Sequence, residues 1–130
     1  MNLIRRDALL FASAILVHRG HRQVIEDLLV DTGSATTLLS IDAVAALRIH
    51  PEPNDSMYRI RGVAGVEYVF SRTMDAIIID GHETHRIDIG FGALDYGFDM
   101  NGILGLDVLL SANAVIDLKR LTIKCSAENR

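Results

Sequence analysis

The segment Leu28-Leu29-Val30-Asp31-Thr32-Gly33-Ser34 is an apolar run that leads directly into a carboxylate and a small, hydroxyl-rich turn. A strand that ends at Val30 would fix the Asp31 side chain, and the loop after it would expose that side chain to other molecules. Gly33 permits a sharp turn and the close approach of a second chain. Asp, Thr, Gly and Ser are also ordinary turn residues, so the tetrapeptide alone is compatible with a plain strand end.

Three features follow this turn in a fixed order. Thr37-Leu38-Leu39-Ser40 returns the chain to apolar character immediately after the turn. A hairpin centred on Val63-Ala64 carries a glycine on each side. Ile103-Leu104-Gly105 then places two apolar residues and a glycine before a short helix. Because these three features accompany the Asp31 turn in this order, a functional role for the turn is favoured over a plain strand end.

Short apolar runs separated by turn residues predict a mostly β domain. The predicted strands are Leu9–Val17, Arg22–Val30, Ser56–Arg61, Val66–Arg72, Met74–Asp80, Glu83–Phe91, Ala114–Leu118 and Leu121–Cys125. Short helices are predicted over Ile41–Ile49 and Leu106–Ala112. His18-Arg19-Gly20-His21 is predicted as the polar turn between the first two strands.

Composition limits the remaining possibilities. The 130 residues are 49% apolar and 23% charged, which indicates one globular domain over residues 1–130, with its core at about 9–125 and a polar tail at 126–130. A net charge of −4 without a basic run argues against nucleic acid as a partner. The apolar stretch Ala8–Val17 is too short to span a membrane. It is favoured as a strand over an export signal, so a cytoplasmic location is expected.

Together these features resemble the retropepsin-like aspartic proteases, the single-lobe relatives of pepsin, over roughly Leu9 to Cys125. The resemblance implies a closed β-barrel-type domain with one or two short helices and a flap hairpin. It makes Asp31 the catalytic aspartate, supported by Thr32, Gly33 and Ser34. Thr32 would tie two catalytic loops together, and the Ser34 hydroxyl would hydrogen-bond the catalytic carboxylate. The implied flap tip is Arg61, Gly62, Val63, Ala64, Gly65 and Val66, and the implied packing beneath the loop is Ile103, Leu104 and Gly105.

The sequence departs from the viral members of this family at two places. Leu106-Asp107 follows Gly105 where viral members commonly have Arg-Asn, and Ala35-Thr36-Thr37 is neutral where they carry an acidic residue. The arginine–carboxylate support of the viral dimer is therefore absent. The chain is more similar to the cellular and bacterial members.

The sequence contains a single Asp-Thr-Gly and no Asp-Ser-Gly. Peptide hydrolysis by this chemistry needs two facing carboxyl groups, one as base and one as acid. A homodimer with one Asp31 from each subunit at its twofold axis meets that need. The expected function is an aspartic endopeptidase that cleaves an extended peptide or protein substrate, without metal or organic cofactor. Because the pair must share one proton, activity is expected on the acidic side of neutrality.

Several alternatives stay open at this point. The Asp31–Thr37 stretch also fits a phosphate loop of actin-like ATPases, although no second phosphate loop is present. The fold could serve as an inactive dimerisation or peptide-binding module. The pairs His18/His21 and His82/His85 could bind a metal, but solvent-exposed turn residues are the favoured interpretation. Cys125 is interpreted as a structural thiol. Tyr58 and Tyr68 either touch substrate or pack across the hairpin.

Overall fold

A computed structural model describes residues 1–62, 65–94 and 99–127, with the side chains of 61, 62, 65 and 66 left aside. Ten strands and two short helices make up this part of the chain. The strands are β1 (Ile4–Arg6), β2 (Leu9–His18), β3 (His21–Val30), β4 (Leu38–Ser40), β5 (Ser56–Gly62), β6 (Gly65–Ile79), β7 (His82–Gly92), β8 (Gly102–Leu104), β9 (Val115–Asp117) and β10 (Thr122–Lys124). A 3₁₀ helix covers Asp42–Leu47, and α1 covers Leu106–Ser111.

Eight of the strands form one sheet that closes on itself. Its order is β1-β2-β3-β8-β4-β7-β6-β5, and a further pairing of β2 with β6 brings the two halves together. Closure removes most of the exposed strand edges. The predicted mostly β, closed-barrel-type domain is confirmed.

Two of the pairings within the barrel are parallel. β8 runs parallel to β3, from Leu28 opposite Gly102 to Val30 opposite Leu104. β4 runs parallel to β7 and antiparallel to β8. β8, which ends just before Gly105, therefore lies between β3, which ends just before Asp31, and β4 in the middle of the sheet.

The apolar interior explains why these strands assemble. The largest fully buried side chains come from strands on all sides of the barrel and from the segments that cover its ends, and they include Phe11, Leu16, Leu28, Leu39, Ile77, Ile89, Phe91, Leu104 and Ile123. Each buried side chain of this size contributes roughly 1.5–3 kcal/mol relative to exposure. Phe70 and Phe91 stack with ring centroids 5.5 Å apart.

The predicted hairpins form with some different boundaries. The segment proposed as the first strand is the second, because Ile4–Arg6 pairs with it. The two strands predicted over Val66–Arg72 and Met74–Asp80 are one continuous strand, β6, which pairs first with β5 and then with β2 and β7. The helix predicted over Ile41–Ile49 is a shorter 3₁₀ helix, which ends where Arg48 takes a left-handed conformation.

The closing hairpin β9–β10 lies beside the N-terminal residues. Asn2 forms a bridge with Thr122, Leu3 N–H donates to Leu121 C=O at 2.8 Å, and Ile123 N–H donates to Met1 C=O at 2.9 Å. β10 is thus paired on both sides. Within the described residues, β9 is paired only with β10.

Candidate active site

Asp31 lies directly after β3 and is fixed by the neighbouring strand. Its backbone N–H donates to the Leu104 carbonyl at 3.0 Å, which continues the parallel β3–β8 pairing by one residue. The segment Ile103, Leu104 and Gly105 therefore lies beside the turn Asp31–Ser34, the candidate catalytic loop. Ile103 and Leu104 are buried in the core, so the loop is supported by apolar packing.

The loop turns tightly around the Asp31 carboxylate. Gly33 N–H donates to Asp31 Oδ1 at 2.9 Å, and Ser34 N–H donates to the Asp31 carbonyl at 3.2 Å. Asp31 is partly exposed and Thr32 and Gly33 are exposed. This arrangement orients one carboxylate oxygen through the backbone and presents the turn to the surface.

Gly105 permits close contact between the two segments of the site. A Cβ atom on Gly105 would lie 2.6 Å from Thr36 O and 3.0 Å from Ser34 O, both of them backbone atoms. Leu106 N–H donates to Ser34 O at 2.7 Å, at the start of α1. A side chain at position 105 would therefore separate α1 from the catalytic loop.

A Thr37–Asp107 pair joins the loop to α1, and sequence reasoning missed it. Thr37 is fully buried, and its Oγ1 and N–H donate to the two Asp107 carboxylate oxygens at 2.7 and 3.1 Å. Thr37 Oγ1 also accepts from Gly105 N–H at 3.0 Å. The sequence showed Asp107 only as a departure from the viral pattern, because a contact across 70 residues leaves no local signal.

The Ser34 hydroxyl does not donate to the Asp31 carboxylate within this chain. Ser34 Oγ donates to the Thr36 carbonyl at 2.8 Å, so the expected hydrogen bond to Asp31 is replaced by a local one. The hydrogen bond to Asp31 Oδ1 comes from the Gly33 N–H instead. Of the predicted flap tip, Val63 and Ala64 lie outside the described residues, whereas the backbone of Arg61, Gly62, Gly65 and Val66 belongs to the paired strands β5 and β6.

A second polar cluster lies at the base of the β5–β6 hairpin, in an open cleft of about 530 Å³. Arg72 is 9% exposed and Asp55 is 7% exposed, and their closest side-chain atoms are 2.6 Å apart. The hydrogen bond from Arg72 lowers the pKa of Asp55, and the same bond raises the pKa of Arg72. This pair fastens the loop before β5 to β6.

His18 lines the same cleft. The expectation that it is a solvent-exposed turn residue is wrong. The histidine is 6% exposed, not a solvent-exposed turn residue, and its Nδ1 has no hydrogen-bond partner. Burial is the main cause that lowers its pKa, followed by Arg19 and Arg72. His21 and His85 are exposed. Across the described residues, no group of three or more His, Cys, Asp or Glu side chains is arranged to hold a metal ion.

The fold and the loop define a class of protein, that of the retropepsin-like aspartic proteases. The structure is similar to the crystal structure of a retropepsin-like aspartic protease from Rickettsia conorii, with a TM-score of 0.61 and 21% sequence identity, over 87% of this chain and 80% of that chain. No curated protein sequence matches the chain.

The family model described as "gag-polyprotein putative aspartyl protease" matches residues 20–111, and the chain belongs to this family. The matched range contains Asp31, the β5–β6 hairpin and Gly105. The suspected relationship to retropepsin-like proteases is confirmed. In the described part of the chain, no helix combines the length and apolar character needed to cross a membrane.

Proposed function

We propose that the chain is an aspartic endopeptidase whose catalytic unit is a homodimer with one Asp31 from each subunit. The observation that carries the proposal is the catalytic loop: Asp31 follows β3, receives a backbone hydrogen bond on Oδ1 and is partly exposed. The sequence supplies one such loop, and the chemistry needs two carboxyl groups.

Each carboxyl group has its own role in this mechanism. The ionised Asp31 takes a proton from a water molecule as its oxygen attacks the peptide carbonyl carbon. The protonated Asp31 of the partner donates to the carbonyl oxygen, which gives a tetrahedral diol. Asp31 then gives its proton to the peptide nitrogen while the partner's Asp31 takes a proton from a diol hydroxyl. The carbon–nitrogen bond breaks to give an amine and a carboxylic acid, and the two carboxyl groups again share one proton.

The exposed apolar surface near α1 and β9 is a second observation in favour of the proposed dimer. Leu110, Val115 and Leu118 are each about two-thirds exposed, and they follow directly on the segment that supports the catalytic loop. β9 has an edge that no described strand covers. We assign this surface to a second copy, which would bury these side chains and complete the pair of Asp31 carboxyl groups.

The Asp31→Asn variant tests the chemistry. Asparagine keeps the shape of the side chain and cannot act as the base, so cleavage of a peptide library should fall to background, while the thermal unfolding midpoint stays within a few degrees of wild type. Cleavage by the variant at the wild-type rate would contradict the proposal. A wild-type chain that dimerises and binds peptides without cleaving them would instead identify an inactive binding module.

Mixed dimers test the stoichiometry. After full subunit exchange, an equal mixture of wild type and Asp31→Asn should retain about a quarter of the activity of the same total amount of wild type, because only wild-type pairs hold two carboxyl groups. A decrease to about half, with exchange verified by mass-labelled subunits, would show that each chain works alone.

A further inference from the structure

Tyr58 extends from the β5–β6 hairpin, here called the flap hairpin, toward the strands that support the catalytic loop. Tyr58 lies opposite Val69 in the antiparallel pairing of β5 with β6. β7 lies beyond β6 in the sheet, and Gly90 on β7 is the position that the Tyr58 hydroxyl approaches. A Cβ atom on Gly90 would be 2.5 Å from Tyr58 Oη, 2.5 Å from Leu38 Cδ2 and 3.0 Å from Val69 Cγ1.

Gly90 is in turn bonded to the catalytic loop. Its N–H donates to the Thr37 carbonyl at 3.1 Å. Thr37 is the buried residue whose hydroxyl and N–H both donate to Asp107. A continuous set of contacts therefore runs from the flap hairpin through Gly90 and Thr37 to the segment that follows Asp31.

The surroundings of the Tyr58 hydroxyl agree with this placement. Tyr58 is partly buried, and burial is the first cause that raises its pKa, with the negative charge of Asp107 as the second. The phenol is therefore neutral at the pH where an aspartic protease works. The position of the Tyr58 hydroxyl beside Gly90 places the phenol on the side of the hairpin that faces β7 and Thr37.

Tyr68 provides an internal comparison on the same hairpin. It lies opposite Arg59, one position out of step with the Tyr58–Val69 pair, so its side chain points to the other face. Tyr68 is 65% exposed. Two tyrosines of one hairpin thus differ in environment, and only Tyr58 reaches the space left by Gly90.

We infer that Tyr58 is a positioning residue that holds the flap hairpin at a fixed height over the catalytic loop by packing into the space above Gly90. This role rests on the proposed protease function only in so far as the hairpin covers a substrate. Glycine at position 90 leaves room for both the Tyr58 hydroxyl and Leu38 Cδ2, each of which would lie 2.5 Å from an added Cβ atom. Opening of the hairpin requires Tyr58 to leave Gly90, so this contact should govern how readily the hairpin opens.

Hydrogen exchange of the β5 backbone amides measures that opening without reference to activity. Tyr58→Ala should speed exchange in β5 by about tenfold, because it removes the packing that resists local opening. Tyr58→Phe keeps the ring but removes the atom nearest Gly90, so its exchange should lie between wild type and Tyr58→Ala, and the control Tyr68→Ala should exchange like wild type. Gly90→Ala, which displaces the hydroxyl from β7, should speed exchange in the same amides and serves where Tyr58→Ala does not fold.

Cleavage kinetics give the second readout. Tyr58→Ala should raise KM by about tenfold with a smaller change in kcat, as expected when binding rather than the chemical step is impaired. The inference is overturned if β5 exchange in Tyr58→Ala equals that in Tyr68→Ala. It is also overturned if Tyr58→Phe loses as much activity as Tyr58→Ala while its β5 exchange equals that of wild type, since the hydroxyl would then act on substrate directly. A wild-type chain that cleaves no peptide refutes the protease proposal, while the exchange comparison still decides the role of Tyr58.

Discussion

Asp31 and Asp55 both lie near the rim of the barrel, but their carboxylates have different partners. Asp31 receives a backbone N–H from Gly33 and forms no ion pair with any residue that the structure describes, whereas Asp55 accepts two hydrogen bonds from Arg72 and its side chain is only 7% exposed. A carboxylate that is paired with a guanidinium is unavailable for proton transfer. The Asp31 carboxylate therefore stays accessible, as the proposed catalysis requires, and the Asp55 carboxylate at the base of the flap hairpin contributes to stability.

The largest effect on stability is expected at the Asp55–Arg72 pair. Asp55→Asn removes the nearer of the two carboxylates beside the Arg72 guanidinium and leaves Glu52 at 3.6 Å, so the free energy of unfolding should fall by about 3 kcal/mol at neutral pH. Because Arg72 lowers the pKa of Asp55, the pair stabilises the fold above the ordinary carboxyl pKa and loses that contribution as the pH falls through the lowered one.

Urea unfolding of the variant and wild type at several pH values measures both effects. Asp75→Asn is the matched control, since Asp75 lines the same cleft and its carboxylate forms no ion pair within the described residues. Equal losses in the two variants would contradict a special role for the Arg72 pair and would weaken the contrast with Asp31.

A smaller effect is expected at Asp107. Asp107→Ala leaves the buried Thr37 N–H and hydroxyl without their acceptor, which should cost about 2 kcal/mol of stability. Because Thr37 also accepts from Gly105 N–H beside the catalytic loop, kcat should fall about tenfold. Asp42→Ala is the control, since Asp42 is also an acidic residue in the first turn of a short helix but is exposed. Equal kcat values for both variants would show that Thr37 does not position the loop.

Substitution of His18 should have a still smaller effect on stability, and that effect should depend on pH. Burial, Arg19 and Arg72 lower its pKa, and Asp75 and Glu52 oppose them, so the fold favours the neutral imidazole. Its contribution is fully present above the ordinary histidine pKa of about 6.5 and is lost as the pH falls below that value. Thermal unfolding should therefore show a steeper loss between pH 7.5 and 5.5 in wild type than in His18→Gln. The exposed His85→Gln control should follow wild type; a wild-type slope in His18→Gln would refute this assignment.

The smallest effect is expected for Ser34→Ala. The sequence alone suggested that this hydroxyl donates to the catalytic carboxylate, so that its removal would move the pH profile upward. In the structure the hydroxyl donates to Thr36, and the variant should lose only about 0.5 kcal/mol and keep the wild-type pH profile of kcat. An upward displacement of the profile would show that Ser34 turns toward Asp31 in the active dimer.

The outcome at these residues shows what the sequence can and cannot reveal. The Asp31 turn and the existence of the long hairpin strands depend on local alternation and turn chemistry, so they could be read from neighbouring residues, whereas the three-residue strands β1, β4 and β8 could not. The Thr37–Asp107 and Asp55–Arg72 contacts join distant segments through ordinary polar residues that leave no periodic signal. The continuity of β6 was missed because Arg72 and Thr73, in the middle of the strand, resemble a break. His18 resembled a turn residue, but the pairing of β2 with β3 extends to it and buries it.

The contact between the two ends of the described chain has a consequence for folding kinetics. The Met1 ammonium group donates to the Ile123 carbonyl at 3.0 Å and to Asp80 at 3.2 Å, and the first of these contacts spans 122 residues of sequence. Native contacts between residues so far apart in sequence raise the contact order of a domain and slow its folding. During synthesis, residues 1–3 leave the ribosome before residues 121–123 and remain without these backbone partners until then. The contacts between residues 1–3 and the β9–β10 hairpin therefore form only after translation of residues 121–123, and they should make refolding slower than in a chain that pairs neighbouring hairpins alone.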